Sequence, residues 1–423
     1  MPRPKPAVIF IFVTLFLDVF GIGLIVPVLP DLVTGMQGGD KALASHSVGL
    51  LGSLYALMQF IFSPVLGSLS DRFGRRPVIL ASLFGSGLDY LLLAWAPTLW
   101  WLYVGRVVAG VTAANFTAAS AYIVDVTPPE KRAAGFGMIG AAFGLGFIAG
   151  PMVGGLLGNM GLRVPFLVAA IVTLLNWLYG YFVLPESLAP ENRRAFKWES
   201  AHPIKALMAL NRWPLVMRLA WTHFLLNLAF TLYPSLWVLY TGVRYNWTHV
   251  DVGMSLAFVG VTTAIVQAGL AGKIIVALGD RRGLLVGLIA TACAMAGYGL
   301  APQGWVIYVM IAVGAFGGLA TPSAQSAITK AVSPDEQGAV QGALNSLTSV
   351  AGILGPVLWT SIFSWSIADK RALAMPGLAF LVAAAVTLIS LVLARWALAG
   401  QKGGPAAVAP PQEPPSPPPM AAA

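Results

Sequence analysis

Gly67-Ser68-Leu69-Ser70-Asp71-Arg72-Phe73-Gly74-Arg75-Arg76 lies where one apolar stretch, 48–69, ends and another, 77–96, begins. Asp71 and Arg75 are four residues apart, a spacing at which opposite charges on a helical face pair. Gly67 permits a close helix contact and Gly74 a tight turn. Arg72, Arg75 and Arg76 crowd one end of two apolar segments. That is the pattern of a short cytoplasmic loop joining two membrane helices.

About 20 apolar residues cross the hydrocarbon core of a bilayer. Stretches of that kind recur at 8–30, 48–69, 77–96, 100–124, 135–158, 165–184, 214–240, 252–277, 284–301, 305–327, 340–364 and 376–398, twelve in all. Of the 423 residues, 57% are hydrophobic and 10% charged. A soluble domain carries about 25% charged residues, so a soluble fold is excluded. The apolar run after Arg3 and Lys5 is long and lacks a small-residue cleavage site, so it reads as a retained first helix and not a signal peptide.

The net charge of +9 comes from 25 Lys+Arg against 16 Asp+Glu. With both termini cytoplasmic, 19 of those 25 basic residues fall in inside loops and tails, 5 in outside loops, and Arg106 inside a span. This bias fits the positive-inside topology of a multi-pass membrane protein, facing lipid, with no nucleic-acid partner. A single cysteine, Cys293, excludes a disulfide framework. His46, His202, His223 and His249 are scattered without ligand spacing, so no metal cage is expected. Nothing in the sequence fixes an oligomeric state.

The chain divides into a six-span bundle (1–184), a polar cytoplasmic loop (185–213), a second six-span bundle (214–398) and a Pro/Ala-rich tail (399–423) expected to be disordered. The halves repeat weakly at an offset of 205 residues: Pro129-Glu130, Gly137 and Gly150-Pro151 map onto Pro334-Asp335, Gly342 and Gly355-Pro356. Gly67 maps onto Gly272, just ahead of Gly279-Asp280-Arg281-Arg282-Gly283. Repeated six-helix halves are the architecture of secondary transporters that rock about a midplane site. In that setting Gly67, Asp71, Arg72, Gly74 and Arg75 read as a conformational latch between the halves, or else as a plain topology signal. Gly146, Gly150, Pro151, Gly154 and Gly155 in the fifth span read as a close-packing and kink element, with simple packing as the alternative.

Of the sixteen acids, only Asp18 and Asp89 lie well inside spans. A charge at mid-membrane costs about 2.5–3.5 kcal/mol on insertion scales, so such a residue faces a cavity or a partner. Asp89 lies eight residues before Pro97 and Arg106 six residues after Trp100. At about 1.5 Å per residue the two lie at similar depth on adjacent antiparallel spans. They are a candidate ion pair, and Asp18 is a candidate cavity carboxylate. Tyr55, Gln59, Asn115, Phe116, Asn227, Tyr233 and Gln267 are candidate cavity residues, each equally readable as packing between helices. There is no catalytic cluster and no nucleotide-binding loop, so neither an enzyme nor ATP drive is expected.

The 67–76 loop resembles the signature of the major facilitator superfamily. The run Gly146 to Gly155 is similar to the motif of its drug/proton antiporters. Leu17-Asp18-Val19-Phe20-Gly21-Ile22-Gly23, Tyr55-Ala56-Leu57-Met58-Gln59, Leu88-Asp89-Tyr90 and Gly105-Arg106 look like the tetracycline efflux proteins. The likeness is dense through the fifth span and thinner after it. It implies a twelve-helix, two-bundle, all-α fold. It also implies proton-coupled export of an amphipathic small molecule, tetracycline-like, by alternating access. No cofactor is implied: protons are the coupling ion, and the cargo of that family is a divalent metal–drug chelate. The family also carries a histidine in the eighth span and an acid in the ninth. Here those positions fall near Thr263 and Thr291, which leaves another drug or a metabolite as an alternative cargo. A transport-inactive membrane sensor is a rival of another class.

Overall fold

The computed structural model describes residues 6–113, 115–128, 131–193, 214–333, 336–368 and 375–399. The expected tail, most of the central loop, and the Pro129-Glu130 and Pro334-Asp335 repeat positions lie outside the described residues. The spans are α1 (Ile9–Met36), α2 (Lys41–Phe73), α3 (Arg75–Trp95), α4 (Leu99–Val126), α5 (Gly135–Gly158), α6 (Val164–Val183) and α7 (Leu215–Tyr245). A continuous helical run, His249–Leu300, follows. Then come α10 (Gly304–Thr329), α11 (Val340–Ile367) and α12 (Leu378–Ala399).

The run His249–Leu300 has 52 residues. At about 1.5 Å per residue it would extend more than twice the ~30 Å hydrocarbon core. It breaks at Gly279, whose backbone (φ 76°, ψ 161°) is not helical. The run is therefore two spans, α8 (249–278) and α9 (280–300). Among the described residues twelve spans in two groups of six result, the expected fold class.

Two helices start earlier than hydropathy alone indicates, because polar caps extend them. The Asp40 carboxylate accepts bonds from the amides of Ala42 and Leu43, both at 2.9 Å, which starts α2 at Lys41. Thr248 and Asp251 form a reciprocal capping box that starts α8 at His249. The distortion expected after Asp18 is present: α1 leaves helical form over 26–28 and resumes at Leu29. In α7 a break falls at Thr231, between Phe230 and Leu232.

Within the first half α1 packs on α5 and α6, α3 on α6, and α2 on α4; within the second, α7 packs on α11 and α12, and α9 on α10 and α12. The halves meet along α2–α11 and α5–α8. Under the repeat, α2 corresponds to α8 and α5 to α11, so these two seams are related by the internal symmetry. The apolar core shows how the halves sit. At the end carrying the 71–76 loop (the basic end) each half keeps its own buried cluster, one around Phe10, Ile11, Val78 and Tyr122, the other around Val216, Leu284, Ala320 and Ala394. Toward the opposite end a single cluster runs through both halves, from Leu24 and Tyr90 to Trp237 and Trp359. Burial of apolar surface drives such closure, and it joins the halves at one end only.

Candidate functional site

The loop that opens the sequence argument is a hub of charges. Gly74 sits at φ 106°, a conformation that disfavours any residue with a Cβ. A Cβ there would also lie 2.2 Å from Glu186 Oε2. This turn aims the start of α3 back over the end of α2. Arg75, buried, donates to Asp71 Oδ1 at 2.5 Å, Asp125 Oδ2 at 3.2 Å and Ser70 Oγ at 2.7 Å. The amides of Arg75 and Arg76 donate to the Glu186 carboxylate at 2.8 and 3.3 Å. Asp71 and Arg75 do pair as their spacing indicates. These bonds, however, all join α2, α3, α4 and the segment after α6, within the first half. In this state, with α2 and α11 parted at this end by a cavity, the residues expected as a latch between the halves form a clamp inside the first half. Gly67 shows the same splay: a Cβ there would meet only Thr117 at 3.6 Å, an ordinary contact. Arg72 is exposed over the Phe73 ring, apart from the clamp.

The second half repeats this corner with its charges exchanged. The offset of 205 carries Gly74 onto Gly279, which has the same positive-φ geometry with ψ 161°. It carries Arg75 onto Asp280 and Asp125 onto Lys330. Lys330 at the end of α10 donates to Asp280, and Ser326 adds a bond at 2.8 Å. The Lys330 bond, with that from Ser326, holds the Asp280 carboxyl below its ordinary range despite desolvation.

Two cavities lie between the halves. The first, at the basic end, has a volume of about 630 Å³ and is lined by Gln59, Ser63, Gly67, Asp71 and Thr117 from one half and Asn345, Ser346, Thr348 and Ser349 from the other. The second, about 350 Å³, is central and more apolar, and it holds both mid-span acids. Asp18 and Asp89 line it with Arg106, Tyr55, Tyr90, Thr231 and Ser235. Arg106 donates to Asp89 Oδ2 at 3.3 Å, and the side chains are 12% and 2% exposed. Asp89 Oδ1 is buried with no hydrogen-bond partner. Gly105 makes room for it, since a Cβ there would stand 2.7 Å from Oδ1. The Arg106 guanidinium also lies 6.0 Å from the Tyr55 ring centre.

Beyond this cavity the halves are sealed. Ser45 donates to the Thr360 carbonyl at 3.1 Å, and His249 bridges to Asp31 at 2.8 Å. The glycines of α5 let helices approach closely on two of its faces. Gly146, Gly150 and Gly154 face α1, and a Cβ on Gly154 would stand 2.2 Å from the Leu24 carbonyl oxygen. Gly155 faces α8, where a Cβ would stand 2.3 Å from the His249 carbonyl oxygen. The Pro151 carbonyl meets Gly253 of α8 just as closely.

The structure brings Asp18, Asp89, Arg106 and Tyr55 together and puts Gln59 in the adjoining cavity. Three other expected cavity residues lie outside both. The Asn227 amide donates to the His223 carbonyl at 2.8 Å, one helical turn back. Tyr233 packs its ring on Trp237 and Tyr298. Gln267, on the π-helical turn Ile265–Leu270, is exposed and packs toward Gly318. The side chains of Asn115 and Phe116 lie outside the described residues. Sequence reasoning missed Tyr90, Thr231 and Ser235 as cavity lining, and Asp125 and Glu186 as clamp acids. Pro234, which has no amide hydrogen to give the Phe230 carbonyl, was a usable sequence signal for a helix opening at Thr231. Thr291, where the resemblance expects an acid, is buried, donates to the Gly287 carbonyl at 2.9 Å and packs against Gly317.

The sequence profile of the Major Facilitator Superfamily matches residues 11–356 and 268–421. The class C tetracycline resistance protein of Escherichia coli is 41% identical over 389 residues, 92% of this chain and 96% of its own length. The class D tetracycline resistance protein of Salmonella ordonez is 39% identical, over 85% and 90% of the two chains. The crystal structure of the human organic anion transporter MFSD10 (TETRAN) superposes with a TM-score of 0.68 at 25% identity, over 93% of this chain and 100% of that one.

Proposed function

The chain belongs to the Major Facilitator Superfamily, and from that membership we propose that it exports a tetracycline-like drug in exchange for protons by alternating access. It is a multi-pass membrane protein whose substrate is a small molecule. The observation that carries the proposal is the central cavity, which holds Asp18, Asp89 and Arg106 between the two halves. A carboxylate in such a site exchanges a proton for a cationic ligand, because the two compete for one negative charge. The orphaned Asp89 Oδ1 is an acceptor available to a cargo donor. The apolar lining suits the body of an amphipathic drug.

With the basic end and both termini in the cytoplasm of an inner membrane, the sealed end faces outward. The chain then rests open to the cytoplasm, ready to load. No protein cofactor is required, and a divalent metal enters only as part of the cargo. The test is drug uptake into everted membrane vesicles. Uptake driven by ΔpH that collapses with an uncoupler while ATP is present supports the proposal. Uptake that persists with the uncoupler refutes proton drive.

A second cargo is favoured by one observation. Thr291 is committed to packing and to a backbone bond, so it supplies no charge to a metal–drug chelate. A panel of growth inhibition by several drugs in a pump-deficient host separates the two readings.

A further inference from the structure

The offset of 205 that relates the halves carries Asp18 onto His223. The helix breaks agree with this alignment. Asp18 lies eight residues before the break that begins at 26 in α1, and His223 eight residues before the break at Thr231 in α7. The two side chains therefore occupy equivalent depths in symmetry-related helices. Both are buried, at 7% and 9% exposure. Among the described residues of the second half, His223 is the one histidine, acid or base that is buried.

We propose that His223 is the second half's proton-carrying side chain, the counterpart of Asp18, and that both change protonation during one export cycle. The proposal rests on proton-coupled export and extends it to a residue in the half that lacks a mid-span acid.

The hydrogen bonds fix how the ring works. Thr348 of α11 donates its hydroxyl proton to the Leu344 carbonyl at 3.1 Å. With the hydroxyl proton placed there, its oxygen accepts from His223 Nε2, 2.9 Å away, and we assign the tautomer that carries its hydrogen on Nε2. In the neutral ring the remaining nitrogen, Nδ1, is the basic atom. The imidazole gains one proton and one positive charge at Nδ1, and loses both on release, without breaking the Thr348 bond. Thr348 lines the basic-end cavity with Asn345, Ser346 and Ser349. The bond thus ties the titrating ring to the seam that opens and closes.

The elements around His223 carry few charges. α7 itself holds Arg218, five residues toward the basic end, whose guanidinium lies 3.6 Å from the Trp396 ring centre of α12, and Arg244 at its far end. α12 carries Arg395, and α10 carries Lys330, bonded to Asp280. α11 presents the uncharged Gln341, Asn345 and Thr348. No carboxylate on these packed spans offers to neutralise the imidazolium. Its charge therefore weighs on the conformational equilibrium, as a coupling group's must.

The test uses the full-length protein in proteoliposomes with tetracycline–Mg²⁺ as probe, reading drug uptake and proton movement across about pH 5.5 to 8, where histidine changes charge. His223→Gln keeps a side-chain N–H donor for Thr348 but does not titrate. The expected result is drug binding within about twofold of the parent, with drug-coupled proton movement lost and uptake nearly independent of pH. Thr348→Val keeps the ring and removes its acceptor, and should move the midpoint of the pH profile. His223→Gln with the parental profile and proton signal overturns the assignment. If His223→Gln does not fold, an unmoved midpoint in Thr348→Val overturns it instead. A parent protein that moves drug without protons overturns the export reading itself, and this inference with it.

Discussion

Replacing Asp89 by Asn removes the charge that Arg106 faces in the central cavity. The donor–acceptor distance is 3.3 Å, and the guanidinium is 12% exposed. Stranding one member of a buried pair costs about 3–5 kcal/mol. Here the lower figure applies, because Arg106 lines a cavity of about 350 Å³ and keeps 12% of its side-chain surface accessible. We therefore expect Asp89→Asn to lose about 3 kcal/mol of stability. Arg106→Gln should cost less, because Asp89 can be relieved of its charge by taking a proton. The double variant, with neutral groups of similar shape, should recover about 2 kcal/mol of the summed loss, a coupling within the range seen for contacting residues. The assay is membrane abundance together with thermal inactivation of drug binding in detergent, on all four proteins. Additive losses, with the double variant as poor as the sum of the singles, would refute the pairing argument.

Further outcomes follow from the clamp, the glycines and the exchanged charge pair. Asp71→Asn should slow transport while leaving drug binding near normal, and Asp71→Glu should retain more activity, because Arg75 keeps a carboxylate partner; lost binding with unchanged turnover contradicts this. Gly74→Ala should destabilise more than Gly279→Ala: both pay about 1–3 kcal/mol for a backbone region that is essentially glycine's alone, but only Gly74 also meets the Glu186 carboxylate at 2.2 Å. Gly154→Ala should block export by pushing α1 from α5, whereas Gly144→Ala, whose Cβ meets nothing within 4 Å, should leave export intact in the same vesicle assay. The Asp280 carboxyl is held below its ordinary range, so its contribution is complete above an unfolded carboxyl's value, near pH 4, and lost as pH falls through the lower folded value. With Lys330 72% exposed the contribution is at most about 1 kcal/mol, read as the difference in thermal stability between the parent and Asp280→Asn from neutral to acid pH.

The membrane fold was legible because its signals are long. Twelve apolar stretches and the bias of Lys and Arg toward alternate loops need no knowledge of packing. The 205-residue offset reached further than the spans: it carried the Gly74 corner onto Gly279, where the same backbone geometry recurs with the charges exchanged. The starts of α2 and α8 were misplaced because Asp40, Thr248 and Asp251 cap them, and hydropathy does not register a cap. The Asp89–Arg106 pair was legible because a short turn fixes the register of α3 against α4. Asn227, Tyr233 and Gln267 did not reach the cavities. Which face of a helix lines a cavity depends on its rotation against its neighbours, and a span that is apolar all round leaves that rotation unmarked. The clamp's partners were not legible for a related reason. Arg75 finds Asp125 and Glu186, fifty and more residues away, and no local pattern announces those partners.

The central claim is that the carboxylates between the halves couple protons to drug movement. Asp18→Asn in reconstituted vesicles tests it most directly, by comparing two modes of transport in one preparation. The account expects drug to exchange down its own gradient at near-parental rates while ΔpH no longer drives accumulation. Accumulation by Asp18→Asn that matches the parent and still collapses with an uncoupler would contradict it.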